Sequence, residues 1–327
     1  MKQKWWILLT LLLCGCGASS QPDQTGAVQN DRPRLSASME ETAENVAAVE
    51  KNENLEKNPS NSNQNPGEGQ NWTVFAMDTV MQFDAYGGSA NLQEKVKWRV
   101  EELEGELSTT QENSDIFHLN QEKTAELSAD TRYLMQEALA LGAETDGALD
   151  ISIYPIVRSW GFTTGNYRVP SENERESLLK SVDYRLVGLG ADMASIEPGM
   201  MVDLGGVGKG FTGDEVVKAM KEDGVTSALF SLGGNIQTIG TKPDGEKWYV
   251  GIKDPESDGY LGGVGVQDEA VITSGGYERY FTDNDGTIYW HIMDPSTGTP
   301  AHSGLISVTI IGPCGLRCDG LSTALFV

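Results

Sequence analysis

Histidine and cysteine are scarce in this chain of 327 residues, which contains three histidines and four cysteines. Two of the cysteines, Cys314 and Cys318, lie four positions apart near the end of the sequence. A zinc site would need further ligands, and none is found near the pair, so the sequence does not predict zinc there. The pair is compatible with a disulfide in an oxidising compartment or with two buried thiols, and the sequence leaves both open.

Basic residues are also in short supply. The chain has 24 Lys and Arg residues against 48 Asp and Glu residues, which gives a formal net charge of −24. Non-specific nucleic-acid binding needs a basic surface, so we expect no nucleic-acid partner. An anionic ligand would have to be held against the overall field by a metal ion or by the positive end of a helix.

The apolar run near the N-terminus is too short to cross a bilayer as a helix. It covers residues 5–13, whereas a spanning helix needs about 20 apolar residues. Two lysines precede it, and a Cys-Gly-Cys sequence at 14–16 closes it, which resembles a bacterial lipobox. We therefore expect residues 1–15 to be a lipoprotein signal peptide and Cys16 to carry lipid, with the mature protein extracytoplasmic and lipid-anchored to the bacterial cell membrane. An ordinary secretory signal is the alternative, but its A-x-A pattern is absent.

Aromatic residues are missing from the segment that follows. Between positions 17 and 70 the composition is dominated by Asn, Gln, Ser, Glu and Pro. Such a segment cannot bury enough apolar area to offset the entropy cost of ordering. We expect residues 16–70 to be a disordered polar tether and residues 71–327 to be the folded domain.

The expected domain alternates short β-type runs with amphipathic stretches. Residues 72–86 are rich in β-branched and aromatic side chains and are interrupted at Met77-Asp78-Thr79, which predicts two strands or one bent strand. From residue 91 to Leu107 apolar residues recur every three or four positions, which predicts a helix, and Asp130 is a candidate cap for the next helix. Many short strands with a few helices indicate an α+β domain of antiparallel sheets with packed helices.

The stretch 201–236 is typical of a strand end, a glycine-rich turn, an amphipathic helix and a second strand. Glycines at positions 205, 206, 208 and 210 are expected to form the turn just before the helix. Such a turn can approach a ligand closely, and the helix N-terminus behind it offers free N–H groups to an anion. Asp203 and Lys209 bracket the turn with one charge of each sign. The spacing matches neither the P-loop nor the dinucleotide fingerprint, so a tight turn without a ligand is the alternative.

Three polar side chains later in the chain are candidates for chemistry. His291 lies at a predicted strand end before a loop, where a general base could face a substrate. Asp319 and Thr323 are four positions apart, so on a helix they share one face and could bind one ion, and ligands made only of oxygen suit Mg²⁺. The alternatives are a polar histidine without a role and an Asp319 that caps a helix, and spacing alone favours the cap.

Taken in order, these features resemble the ApbE family of FAD:protein FMN transferases, also described as flavin-trafficking lipoproteins. The similarity extends from about Trp72 to the end of the chain. It rests on blocks that are weak singly and specific together, namely residues 77–79, 107–120, 145–162, 202–214, 231–236, 248–255, 273–281, 291–300 and 307–326. The resemblance implies a T-fold-related architecture with an FAD-binding cleft. Family members usually continue beyond the point that matches Val327, so we expect the domain to be truncated at its C-terminal end.

The resemblance also implies roles for particular residues. The family binds the pyrophosphate of FAD near Mg²⁺, and the matching metal ligands are the Gly206 carbonyl and the side chains of Asp319 and Thr323. His291 matches the proposed catalytic base of the family. The matching FAD contacts are Met77, Thr110, Ala148, Leu149, Asp150, Asp203, Lys209 and Met293.

The implied reaction is transfer of FMN from FAD. A threonine or serine hydroxyl of an acceptor protein, a subunit of a membrane redox complex, attacks the FMN-side phosphorus, and AMP leaves. Such a step needs a cation on the pyrophosphate and a group that takes the hydroxyl proton. The alternatives are an FAD pyrophosphatase that gives FMN and AMP, a noncatalytic flavin-binding lipoprotein and, more remotely, a substrate-binding lipoprotein unrelated to flavin.

Overall fold

The computed structural model describes residues 69–327. The predicted signal peptide, the lipidation site Cys16 and all but the last two residues of the predicted tether lie outside the described residues. The helices are α1 Leu92–Leu107, α2 Asp115–Glu122, α3 Ala129–Glu144, α4 Tyr154–Ser159, α5 Glu172–Leu179, α6 Gly205–Glu222 and α7 Gly315–Phe326. The strands are β1 Gly69–Ala76, β2 Thr79–Gly87, β3 Thr124–Glu126, β4 Gly188–Leu189, β5 Met193–Ser195, β6 Val225–Leu232, β7 Asn235–Ile239, β8 Trp248–Lys253, β9 Tyr260–Val266, β10 Ala270–Gly275, β11 Tyr280–Thr282, β12 Ile288–Trp290, β13 Met293–Asp294, β14 Thr299–Pro300 and β15 Ser307–Gly312.

A six-stranded antiparallel sheet in the order β1-β2-β6-β7-β10-β15 forms the centre of the domain. On one face, side chains such as Met81, Phe83 and Phe230 form a buried core with α1 and α6. The opposite face is covered by the β8–β9 ribbon, whose Trp248 packs with Val271 of the sheet. The predicted α+β domain of antiparallel sheets with packed helices is confirmed.

The first two strands meet in a tight turn. Ala76 pairs with Thr79, and the residues between them, Met77 and Asp78, have φ of +50° and +56°. This left-handed conformation is uncommon outside glycine, and here the Met77 amide donates to Oε1 of Glu104 at 2.8 Å, which helps to hold the turn. The interruption read from the sequence is therefore a hairpin turn, and the two-strand prediction is confirmed.

The predicted helix after residue 91 is α1, and its apolar stripe is buried as expected. The predicted cap of the next helix is wrong. Ser128, not Asp130, caps α3, because its Oγ accepts from the amide of Thr131 at 3.1 Å. Asp130 lies within the first turn and instead forms an ion pair with Arg99 of α1.

The predicted glycine-rich turn before the helix is also wrong, because α6 begins at Gly205 and the later glycines lie inside it. The physical reason is a close crossing with α7. A Cβ at Gly210 would lie 2.3 Å from the carbonyl oxygen of Gly315 and 2.6 Å from the Cβ of Asp319. Glycine disfavours a helix by about 1 kcal/mol relative to alanine, so local preference alone favours a turn, and the tertiary contact reverses it.

A side chain of α6 accepts hydrogen bonds from the first backbone amides of α7. Oδ1 of Asp214 accepts from the amide of Gly315 at 2.7 Å, and Oδ2 accepts from the amide of Leu316 at 2.9 Å. The neighbouring Cys314 and Cys318 are free thiols. Burial raises the pKa of these thiols to about 11 and about 12, so both are protonated at neutral pH. Within residues 69–327, none of the helices has the length and apolarity needed to cross a membrane.

Candidate active site

The crossing of α6 and α7 places a buried carboxylate on a backbone amide. The amide of Gly210 donates to Oδ2 of Asp319 at 2.8 Å. In a regular helix the Gly210 amide donates to the carbonyl oxygen four residues earlier, which belongs to Gly206. Asp319 therefore competes with the Gly206 carbonyl, a predicted metal ligand, for this donor. Asp319 lies in the second turn of α7 and is only 5% exposed, so the alternative reading of this residue as a helix cap is wrong.

The other two predicted metal ligands meet beside this carboxylate. A Cβ at Gly206 would lie 3.7 Å from Oγ1 of Thr323. Thr323 follows Asp319 by one turn of α7, and its Oγ1 is 3.5 Å from Oγ of Ser274 on β10. The structure thus brings Gly206, Asp319 and Thr323 together, and their role as ligands stays a prediction.

The chemistry of this cluster fits a hard cation. Burial raises the pKa of Asp319 to about 6, against the lowering effects of the Lys209 charge and the Gly210 amide. A buried carboxylate with little compensating charge is stabilised by a bound cation. Within residues 69–327 no group of three or more His, Cys, Asp or Glu side chains could hold a metal. A carboxylate, a hydroxyl and a backbone carbonyl, with sites left for water and phosphate oxygens, suit Mg²⁺.

His291 follows β12 and is oriented by one carbonyl. Its backbone amide donates to the carbonyl of Arg279 at 3.0 Å, and its Nδ1 lies 3.2 Å from the same oxygen. A carbonyl oxygen only accepts, so Nδ1 carries the ring proton and Nε2 keeps a free lone pair. Burial, together with the charges of Arg279 and Lys209, lowers the pKa of His291 to about 4. The imidazole is therefore neutral at pH 7, and Nε2 can accept a proton.

Lys209 is electrostatically coupled to both Asp319 and His291, and the region around these three side chains is called the cleft below. It lies in the second turn of α6, and its positive charge lowers the pKa of both Asp319 and His291. Such direct electrostatic effects are largest over short separations in a partly buried site. The cleft therefore offers one cationic side chain near both groups, where a phosphate would be attracted.

Glu278 is a member of the cleft that sequence reasoning missed. It lies in the turn after β10, and its Oε1 is 3.7 Å from the position of a Cβ at Gly234. Burial raises the pKa of Glu278, the Lys209 charge lowers it, and the Asp319 charge raises it. No spacing or periodicity links Glu278 to α6 or α7. The double glycine before it, Gly275-Gly276, marks a turn, which is the one signal that the sequence offers here.

Arg279 was missed in the same way. Its Nη2 donates to the carbonyl of Phe162 at 2.8 Å, and its own carbonyl orients His291. Its charge also lowers the pKa of Asp203, which burial raises. Oδ1 of Asp203 accepts from the amide of Gly205 at 2.7 Å, at the start of α6. Arg279 thus links the predicted FAD contact Asp203 with the predicted base.

The two predicted methionine contacts belong to different hydrophobic clusters. Met77 lies in the β1–β2 turn, and its Sδ is 3.6 Å from Oγ1 of Thr212 on α6. Met293, on β13, is buried with Ile156 and Trp160 in the cluster next to His291. Their contact with FAD stays a prediction.

The predicted segment 148–150 divides into two parts. Leu149 reaches the crossing, because its Cδ1 lies 3.4 Å from the position of a Cβ at Gly206. Asp150 is buried, and its carboxylate accepts from the amide and hydroxyl of Ser152 and from the amide of Tyr184. This carboxylate therefore organises the local fold.

Thr110 lies on the exposed loop between α1 and α2. Its amide donates to Oγ of Ser108 at 3.1 Å, and the two hydroxyl oxygens are 3.2 Å apart. These bonds fix the loop, and the structure records none that joins Thr110 to the cluster around Asp319 among residues 69–327. Its contact with FAD also stays a prediction.

Comparisons with known proteins identify the family of this chain. The model of the ApbE family matches residues 77–327. An FAD:protein FMN transferase of Treponema pallidum is 34% identical over 255 residues, which cover 72% of this chain and 70% of the relative. One of Vibrio cholerae is 31% identical over 248 residues, covering 73% and 74%. The crystal structure of an ApbE protein of Thermotoga maritima superposes with a TM-score of 0.75 at 32% identity, covering 80% of this chain and 87% of that one. The chain therefore belongs to the ApbE family, and the predicted family and ApbE-like fold are confirmed.

Proposed function

We propose that this protein is a transferase that moves FMN from FAD to a threonine or serine hydroxyl of an acceptor protein and releases AMP. The observation that carries the proposal is one cleft in which Lys209 is electrostatically coupled both to the buried Asp319 and to the neutral His291. The name of the relatives requires FAD and a protein acceptor. The cleft meets the two demands of that reaction, which are charge stabilisation at the pyrophosphate and removal of a hydroxyl proton.

The reaction exchanges one phosphorus–oxygen bond for another. The acceptor oxygen bonds to the FMN-side phosphorus, the bond from that phosphorus to the bridging oxygen breaks, and AMP leaves with the electron pair. Nε2 of His291 accepts the hydroxyl proton and returns it to solvent between turnovers. The Arg279 carbonyl stays bonded to Nδ1–H, which fixes the ring and stabilises the imidazolium that forms.

Gly206, Asp319 and Thr323 would hold Mg²⁺, which when bound neutralises charge on the pyrophosphate. Lys209 supplies a second positive charge to the phosphates. The remaining FAD contacts are proposed at Met77, Thr110, Ala148, Leu149, Asp203 and Met293. Asp150 would support FAD indirectly, because its carboxylate is engaged with Ser152 and Tyr184.

The direct test is incubation with FAD, Mg²⁺ and a threonine-bearing acceptor, followed by mass spectrometry. We expect the mass of the acceptor to rise by that of one FMN less one water, and AMP to appear in an equal molar amount. AMP release that does not depend on the acceptor would instead identify an FAD pyrophosphatase. Tight FAD binding without AMP would identify a noncatalytic flavin-binding protein.

We also propose an extracytoplasmic location with a lipid on Cys16, and an acceptor that is a subunit of a membrane redox complex. The support is the lipobox-like sequence at 14–16. A Cys16→Ala variant expressed in bacteria should leave the membrane fraction. Membrane association equal to that of the wild type would contradict the lipid anchor.

A further inference from the structure

The β8–β9 ribbon carries two tyrosines that lie flat on glycines. A Cβ at Gly263 would be 2.3 Å from Cε1 of Tyr249, and a Cβ at Gly251 would be 2.7 Å from Cδ1 of Tyr260. Gly251 pairs directly with Gly263, so the two rings cross the ribbon diagonally from opposite strands. Any larger residue at either glycine would lift a ring away from the backbone.

The tyrosines face away from the domain. Along β8, Trp248 and Val250 are buried against the central sheet, and Tyr249 between them points outward, as the two-residue period of a strand requires. Tyr249 is 64% exposed and Tyr260 is 49% exposed. The result is a flat platform, defined here as Tyr249 and Tyr260, built on glycine and open to solvent.

The platform runs to the edge of the cleft. Tyr260 pairs with Lys253, the last residue of β8. The ammonium of Lys253 lies 5.5 Å from the centre of the Tyr277 ring, and its charge lowers the pKa of Glu278 at the edge of the cleft. Tyr249 lies four residues back along β8, or about 13 Å. A macromolecule on the platform would therefore also reach the cleft.

The turn that joins the two strands is acidic. It carries Asp254, Glu256 and Asp258, and the last two are exposed. Tyrosine is favoured in protein interfaces because it buries a large rigid ring at low entropy cost and keeps a polar group. Carboxylates at the rim of such a surface select a partner with positive charge and speed its association.

We propose that the platform and the 254–258 turn dock the acceptor protein, which presents an uncharged strip to the tyrosines and a Lys or Arg to the turn. This proposal rests on the proposed function, since only a protein substrate needs a surface beyond the cleft. Continuity with the cleft and the charge of the turn favour this occupant over a second copy of the chain, which carries the same negative net charge.

The test compares two substrates of one enzyme. The double variant Tyr249→Ser/Tyr260→Ser is assayed with a folded acceptor protein that the wild type labels and with a short synthetic peptide of its labelled threonine segment. We expect KM for the protein to rise at least tenfold, while KM for the peptide, FAD binding and kcat stay at wild-type values. Tyr133→Ser is the matched control, because Tyr133 is 50% exposed on α3, and it should leave both KM values unchanged.

A charge-reversal variant, Glu256→Lys/Asp258→Lys, tests the partner chemistry. It should lower kcat/KM for the protein acceptor and weaken the dependence of that value on salt. An unchanged KM for the protein in the tyrosine variant, with FAD binding intact, would overturn the docking surface alone. If no acceptor protein or peptide is found that the wild type labels, the proposed function fails and the docking proposal with it. A wild-type dimer that the tyrosine variant converts to a monomer, seen by light scattering, would assign the platform to self-association instead.

Discussion

Asp214 and Asp319 sit at the same helix crossing and reach in opposite directions across it. Asp214 on α6 accepts from two amides at the start of α7, and Asp319 on α7 accepts from one amide of α6. Asp214 also contacts the thiol of Cys314, at 3.5 Å. Burial raises the pKa of both carboxyls, but Asp214 is compensated by a helix N-terminus, where two donors and the helix dipole favour an anion.

The two aspartates differ in how well their buried negative charge is compensated. Asp319 keeps a pKa of about 6 and shares its surroundings with Lys209 and Glu278 of the cleft. A carboxylate left partly uncompensated in a buried site costs stability in the empty protein and becomes favourable when a cation binds. Asp214 therefore holds the crossing together, whereas in the proposed function Asp319 offers its carboxylate to the cation that the substrate requires.

The largest expected effect comes from Asp319→Asn. The side-chain oxygen of the new asparagine can still accept from the Gly210 amide, but it offers a cation no negative charge. We therefore expect the rate of FMN transfer to fall by at least about a thousandfold. Transfer is measured by mass spectrometry of the acceptor at saturating FAD. Undiminished labelling would remove Asp319 from the chemistry and erase its contrast with Asp214.

The same variant should be more stable than the wild type when both are free of metal. The pKa of Asp319 rises from its ordinary value of 3.8 to about 6 on folding, so the folded protein binds more protons than the unfolded chain between those values. The free energy of unfolding therefore falls as pH rises through that window. At about 1.4 kcal/mol per pKa unit, Asp319→Asn should gain on the order of 1–3 kcal/mol at pH 7 in EDTA, measured by urea unfolding. A loss of stability would show that the carboxylate is compensated after all.

His291→Gln comes next, because it removes the base but leaves the crossing intact. We expect kcat to fall by about 10²–10⁴-fold with FAD affinity unchanged. His118→Gln on the exposed face of α2 is the control and should keep full activity. At saturating Mg²⁺ the wild-type rate should rise with pH through about 4, where His291 loses its proton, and not through 6.5. An inflection near 6.5 would contradict a desolvated imidazole.

A smaller effect tests the crossing itself. Gly210→Ala would place a Cβ 2.3 Å from a backbone oxygen of α7, and we expect it to lower the free energy of unfolding by about 3 kcal/mol. In Gly208→Ala, in the same helix, the new Cβ would meet no atom within 4 Å apart from its chain neighbours and the backbone of its own helix. This variant should gain up to about 1 kcal/mol from helix propensity. Equal effects of the two variants in urea unfolding would mean that the helices do not cross as closely as described.

The smallest effect is expected for Asp214→Asn. The side-chain oxygen of the new asparagine can still accept from the backbone amide of Gly315. Its NH2 group cannot accept from the backbone amide of Leu316, and the loss of that hydrogen bond costs about 1–2 kcal/mol. Activity per folded molecule should stay close to that of the wild type. A loss of transfer as severe as that of Asp319→Asn would show that the two aspartates do not differ in role.

The sequence predicted what depends on local pattern and could not predict what depends on distant contacts. The stripe of α1 and the break at Met77 are local, and both are confirmed. The glycines at positions 205, 206, 208 and 210 suggest a turn by propensity. The close approach of Gly315 to Gly210, over 100 residues later, is a tertiary contact that the local pattern does not show. The role of Asp214 is another example, because its hydrogen-bond partners are two backbone amides of a different helix.

The candidate site follows the same division. Asp319 and Thr323 could be placed on one helix face from their spacing. The approach of Gly206 to Thr323 came only with the family resemblance, because no local pattern connects two helices so far apart in sequence. Glu278 and Arg279 lie in a turn with no periodic signal, so their place in the cleft became visible only in three dimensions.

We expect oxygens of Gly206, Asp319 and Thr323 to bind one hard cation opposite the imidazole of His291. Crystals of the protein grown with FAD and Mn²⁺ in place of Mg²⁺, measured at the manganese absorption edge, locate that ion directly. We expect one anomalous peak at about 2.1–2.3 Å from an Asp319 carboxylate oxygen, with the Thr323 hydroxyl and the Gly206 carbonyl also in its coordination shell. A peak bound elsewhere, with these three oxygens uncoordinated while FAD occupies the cleft, would contradict the account.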